Sequence, residues 1–200
     1  NYGGIERCLD ELCPRLVAMG HEVDVYSQVA THGALPKGLR SIALPAVGGK
    51  HFANLSCSAL ATLRAVGHYD VIHFHATGPG ILSLLARLRG QPSVATIHAL
   101  DQQREKWGPL ARHALGLAER TVMAFANEVT VVSETLRRYM REKYDKLAYC
   151  VPNGLAAKTL EPPGELLARH GLKPRARIVA ARVTLKNNSE KLRLANHLST

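Results

Sequence analysis

Aromatic residues are scarce in this 200-residue chain, at 5% of positions, with one Trp and three Phe. So few rings leave no stacking platform for single-stranded nucleic acid, and no recognisable nucleic-acid motif is present. Cysteine is sparse as well: Cys8, Cys13, Cys57 and Cys150 form no Cys-x-x-Cys and no zinc-ligand spacing. That excludes a disulfide-built miniprotein and leaves four free thiols in a reducing, cytosolic compartment as the expectation. No uncharged apolar run approaches the roughly 18 residues that a membrane span needs. The first residues, Asn1-Tyr2-Gly3-Gly4, have no basic-then-apolar leader and no initiator Met. The chain is therefore read as a fragment with nothing that points to export. Acidic residues are the minority, Asp+Glu 16 against Lys+Arg 26, for a formal net charge of +10. The balance favours anionic partners. The basic residues are spread along the chain, which speaks against a dedicated patch for nucleic acid or lipid.

What is present is ordinary for a globular protein: 46% apolar and 21% charged residues, in a length that holds one domain and part of a second. Helical and strand patterns alternate. Ile5, Leu9, Leu12 and Leu16 share a helical face that stops at Met19-Gly20, with Pro14 inside it. Strands are expected over 23–26, 41–47, 71–75, 93–97, 129–132 and 147–151, and helices over 54–66, 81–88, 109–125 and from Ser133, a cap, to about Tyr144. Gly78-Pro79-Gly80 reads as a connection. Nearly all-apolar strands suit a parallel sheet buried on both faces, so the expected fold is a doubly wound α/β domain of the Rossmann-like kind. That domain is expected over 1–155, a linker or hinge over 156–174 around Pro162-Pro163-Gly164, and the truncated start of a second domain over 175–200.

Open parallel sheets take ligands beyond the carboxyl ends of their strands. Gly3-Gly4, at a helix start, offers close backbone approach and unpaired N–H groups to a phosphate, with a plain turn as the alternative. No Gly-x-Gly-x-x-Gly or Walker lysine accompanies it, which argues against a dinucleotide dehydrogenase or a P-loop NTPase. His73 and His75, two apart on a strand, share a face; no third ligand follows at metal spacing, so they are read as structural or cleft-lining and no metal is expected. The segment from His98 to Trp107 packs His, Asp, Gln, Arg, Lys and the single Trp together after a strand. Such a loop suits a sugar or phosphate ligand, or is a solvated surface loop.

Five segments carry a family resemblance: Asn1-Tyr-Gly-Gly-Ile-Glu-Arg7 with the run to Tyr26, Asp70-Val-Ile-His-Phe-His75, Thr96-Ile-His-Ala-Leu-Asp-Gln-Gln-Arg-Glu-Lys-Trp107, Val131-Val-Ser-Glu134 and Val151-Pro-Asn-Gly154. In this order and spacing they resemble glycosyltransferase family 4, over residues 1 to about 174. The His98 to Trp107 string is similar to a bacterial, rhamnosyltransferase-like subgroup of surface polysaccharide synthesis.

The resemblance implies two Rossmann-like domains around a cleft, with the acceptor on the first and a nucleotide-sugar donor on the second. It implies transfer of a sugar to a glycan or lipid-linked acceptor with retention of configuration, without a cofactor or an obligatory metal. His98 falls where the family places a histidine near the reacting carbon. Gly3, Gly4, Arg182 and Lys186 are the implied diphosphate grip, with Ala181 standing where the family has Gly. Asp101, Gln103, Arg104 and Lys106 are acceptor-side candidates, and His75, Ser133, Glu134 and Asn153 are further cleft candidates. Two family features are missing from the sequence: a strand ahead of the Gly-Gly loop, and a second domain with paired glutamates. Residues 1–200 by themselves are accordingly expected to be inactive, with neighbouring helix faces left uncovered. The positive charge fits an enzyme in the cytoplasm that docks on the anionic inner membrane leaflet. The competing readings are a nucleotide-sugar epimerase of similar build and a non-catalytic basic domain on a membrane surface.

Overall fold

A computed structural model describes residues 4–29, 33–49, 52–100, 108–154 and Arg169. The chain divides into two units, 1–156 and 157–200. Arg169 apart, the second unit lies outside the described residues, and with it the rest of the expected linker and the expected second-domain start.

Helix α1 (Gly4–Ala18) continues through Pro14, with Glu6 in its first turn and Arg15 in its last. Both charges oppose the helix dipole. Gly20, at φ +95°, ends the helix in the left-handed conformation that glycine adopts without strain. Strand β1 (Val23–Ser27) pairs in parallel with β2 (Leu39–Ala43). The second strand ends earlier than the expected Val47. Pro45 cannot extend the ladder, and the N–H and carbonyl of Val47 both lie 2.9 Å from the Ser56 hydroxyl of helix α2 (Ala53–Ala65).

Strands β3 (Ile72–His75), β4 (Ser93–Ile97), β5 (Glu128–Val131) and β6 (Tyr149–Cys150) form a second sheet in that spatial order, parallel throughout. The expected helix over 81–88 begins at Ser83 as α4 (Ser83–Leu88), and a separate short helix, α3 (Thr77–Gly80), precedes it. The Gly-Pro-Gly connection is thus itself a helical turn. Gly80 is required there by close approach: a Cβ at this position would lie 2.5 Å from Val122 Cγ2 of helix α5 (Pro109–Phe125). Pro109 opens α5, where its missing N–H is harmless. Ser133 Oγ accepts the Leu136 N–H at 3.3 Å and caps helix α6 (Glu134–Tyr144) as expected.

The register divides the four-stranded sheet into two unlike faces. Phe74, Ala95, Ile97, Val129 and Val131 form one face and pack with Ala86, Val122, Met123, Leu136 and Met140 from α4, α5 and α6. This is the core. Buried Glu119 ties α5 to α6 by accepting from Tyr144 Oη at 2.6 Å, Lys143 Nζ at 2.9 Å and Tyr139 Oη at 3.1 Å. Desolvation, reinforced by the Glu119 carboxylate, pushes the Tyr144 phenol up to about 12. The opposite face carries His73, His75, Thr96 and Thr130, so the expectation of strands apolar on both faces is wrong. Threonine is β-branched and fits a strand as well as valine does, which hides this polar face in a hydrophobicity pattern.

Among the described residues no ladder joins β1 to β3. Both strands line one cavity of about 480 Å³, closed by Ile5, Leu9 and Leu12 of α1 and Ala61 of α2. Asp24 on β1 accepts both Arg40 Nε and Nη2 at 2.7 Å and also the Tyr69 hydroxyl. Desolvation alone would raise this carboxyl; the hydrogen bonds from Arg40 and Tyr69 outweigh it and hold the group below its ordinary value.

Candidate functional site

Because all four strands of the larger sheet run the same way, their carboxyl ends gather on one edge. His75 is the last residue of β3, and His98 follows the last residue of β4. Ser133 and Glu134 follow β5, and Asn153 and Gly154 follow β6. A cavity of about 430 Å³ opens at this edge between α1 and the polar sheet face, lined by His73, His75, Thr96, Thr130, Asn153 and Gly154.

Side chains from three strands are hydrogen-bonded across this face. His73 Nε2 is 2.7 Å from Thr96 Oγ1, which is 2.6 Å from Thr130 Oγ1. His73 and His75 lie ring against ring, 4.2 Å between centroids and tilted by 33°. His75 Nδ1 is 3.2 Å from His98 Nε2, and those rings stack at 5.5 Å and 29°. Desolvation first, then the neighbouring His73 and His98, lowers His75 to about 3. His73 is lowered to about 4 by desolvation and by His98. Both imidazoles are neutral at physiological pH and can each donate one hydrogen bond and accept another.

The sheet therefore brings His75 and His98 together from positions far apart in the sequence and sets Asn153 beside the same cavity, where its Oδ1 faces the Cys8 thiol at 3.5 Å. Gly4 begins α1 and is exposed, with open space where a Cβ would lie. Ser133 is occupied as the cap of α6, and Glu134 pairs with Arg137 at 2.7 Å. Gly3, Asp101, Gln103, Arg104, Lys106, Arg182 and Lys186 lie outside the described residues. All four cysteines are free. Among the described residues no group of three or more His, Cys, Asp or Glu side chains is placed to hold a metal ion, and no helix is long and apolar enough to cross a membrane.

Thr96 and Thr130 were not anticipated as site residues. A signal for them exists: each is the penultimate residue of its strand, β4 or β5, the level at which a parallel sheet presents side chains to its ligand-binding edge.

In an open α/β unit of parallel strands, ligands bind in the crevice beyond the carboxyl ends of the strands, where these histidines stand. The family model for Glycosyltransferase Family 4 matches residues 2–158. The chain belongs to that family. It is also similar to phosphatidyl-myo-inositol mannosyltransferases: 27% identical over 161 residues to those of Mycobacterium tuberculosis and Mycobacterium bovis, covering 76% of this chain and 41% of theirs. The Mycolicibacterium smegmatis enzyme of the same name is 26% identical over 161 residues, covering 76% of this chain and 40% of its own. The chain thus spans about two fifths of the length of these relatives.

Proposed function

We propose that this chain is the acceptor-side half of a glycosyltransferase that moves a hexose from a nucleotide-diphosphate sugar to a lipid-linked or glycan acceptor, with retention of configuration. The observation that carries the reading is the joining of His98 to His75 at the carboxyl edge of a parallel sheet, in a chain of this family. The protein's charge of +10 and its similarity to mannosyltransferases named for a phosphoinositide acceptor support an acceptor with an anionic headgroup, reached from the surface of an anionic leaflet. Surface polysaccharide synthesis, the pathway implied by the rhamnosyltransferase-like string from His98 to Trp107, belongs to the same proposal.

The chemistry requires charge to be met at two places. As the glycosidic bond lengthens, the leaving diphosphate gains negative charge and the sugar becomes cation-like; donors already in position lower that barrier. The N-terminus of α1 at Gly3-Gly4 offers backbone N–H groups and the positive end of the helix dipole to the diphosphate. The family resemblance assigns Arg182 and Lys186 as cationic partners of a diphosphate. In this reading His98 hydrogen-bonds the donor sugar near the reacting carbon, and Asp101, Gln103, Arg104 and Lys106 remain the candidates that the resemblance assigns to the acceptor. No metal and no cofactor enters this scheme.

Incubating the longer protein that contains this chain with labelled nucleotide sugars and membrane lipid tests the reading. A labelled lipid or glycan is the expected product, while isomerised free sugar would identify an epimerase. Vesicle binding with no chemistry would leave only a basic surface domain.

A further inference from the structure

We infer that His75 is a positioning residue for His98, fixing which ring nitrogen of His98 carries its proton. The inference rests on the role given to His98 above and concerns how that role is enforced.

The bond of 3.2 Å between His75 Nδ1 and His98 Nε2 needs one N–H and one lone pair, so the tautomer of either ring dictates that of the other. His75 stays neutral because desolvation lowers it to about 3. Either His75 Nδ1–H donates and the His98 proton resides on Nδ1, or His98 Nε2–H donates to the His75 Nδ1 lone pair; in both cases the bond holds His98 in a single tautomer.

The scaffold holds His75 more firmly than a strand end requires. His73 stacks against it, and the His73 ring is itself tethered to Thr96 and through it to Thr130. Ala76, the next residue, sits at φ +78°, ψ 158°, a strained conformation that residues with a Cβ rarely adopt. Its N–H bonds Thr96 O at 3.0 Å, so the strained turn is clamped to the same strand that delivers His98. Stacking, tether and strained turn converge on one imidazole whose outward partner is His98. Cavity lining alone would need none of them.

The test pairs a spectroscopic readout with a kinetic one, in the longer protein that contains this chain. Imidazole nitrogen-15 shifts should show His98 in a single tautomer in the native protein. They should show a mixed or reversed tautomer in His75→Leu, and the native tautomer again in His75→Asn, whose amide can fill the Nδ1 position in the same bond. In the transfer assay His75→Leu should lower kcat about fivefold to tenfold with donor KM changed less than about twofold, and His75→Asn should recover most of the loss. A mixture of His98 tautomers in the native protein, or a His98 tautomer indifferent to His75→Leu in a variant with native-like spectra, overturns the inference. An absence of any transfer by the native protein would instead defeat the functional reading, while the nitrogen shifts would still decide the coupling of the two rings.

Discussion

The β1–β2 pair and the four-stranded sheet use similar residues, parallel pairing and strands of similar length, yet only one of them is packed. In β4, Ser93, Ala95, Thr96 and Ile97 are buried. In β1 and β2 no residue is: every position is half-buried or exposed. The core cluster runs through β3, β4, β5 and the helices α4, α5 and α6, and stops short of the smaller sheet. That sheet is held by the paired strands, by the Asp24–Arg40–Tyr69 network and by α1 and α2 across an apolar cavity. Burial of apolar area, not strand content, decides how much each region stabilises the unit. The site follows the same division, because its histidines and threonines belong to the packed sheet while the cavity roof belongs to α1.

Truncation separates the two regions most sharply. Ile97→Ala should cost about 2–5 kcal/mol, as deletion of a fully buried side chain does, whereas Val25→Ala on β1 should cost about 1 kcal/mol, since its side chain is only part-covered. Denaturant midpoints of the two variants measure this, and equal losses would erase the distinction.

Overpacking probes the packed region from the other direction. Gly80→Ala drives a methyl to 2.5 Å from Val122 Cγ2, and Val122 is fully buried. The variant should lose about 1–3 kcal/mol, read as a fall in Tm. Val122→Ala in the same chain should restore part of it by giving the methyl room. A Gly80→Ala protein as stable as the parent would mean that α3 and α5 do not meet as closely as described.

Acid should weaken the polar face selectively. His75 is lowered to about 3 in the folded protein, against about 6.5 in an unfolded chain. The unfolded state therefore binds the proton first as pH falls. The stability associated with neutral His75 is fully present above about pH 6.5 and is lost progressively toward pH 3, reaching about 2 kcal/mol of loss by pH 5. Urea unfolding at pH 7 and pH 5 measures it, and His75→Asn should remove the His75 share of the dependence and leave that of His73, which is lowered to about 4. A pH-independent midpoint in the native chain would place water around His75.

Much of the fold is legible in the residues because local signals agree with the tertiary outcome. Pro109 and Ser133 mark helix starts, Gly20 a helix end, and Ser93 to Ile97 a buried strand, each where expected. Readings failed where distant partners decide. The end of β2 depends on Ser56 of α2, and the break before α4 follows a turn whose Gly80 is pressed against α5. The site shows the same pattern. His98 and His75 are legible as candidates from their strand ends, but their hydrogen bond is a product of β3–β4 register. Thr96 and Thr130 look like ordinary strand residues until that register aligns them. Ala76 carries no sequence mark of its positive φ.

The central claim, that the carboxyl edge of the packed sheet performs sugar transfer through His98, is tested most directly by His98→Ala in the longer protein. A hydrogen bond that strengthens in the transition state contributes upwards of about 1.4 kcal/mol. Turnover of labelled nucleotide sugar should therefore fall at least about tenfold, with the melting temperature little changed, because His98 lies beyond the end of β4 and outside the core. Near-native turnover by a folded His98→Ala protein would contradict the account.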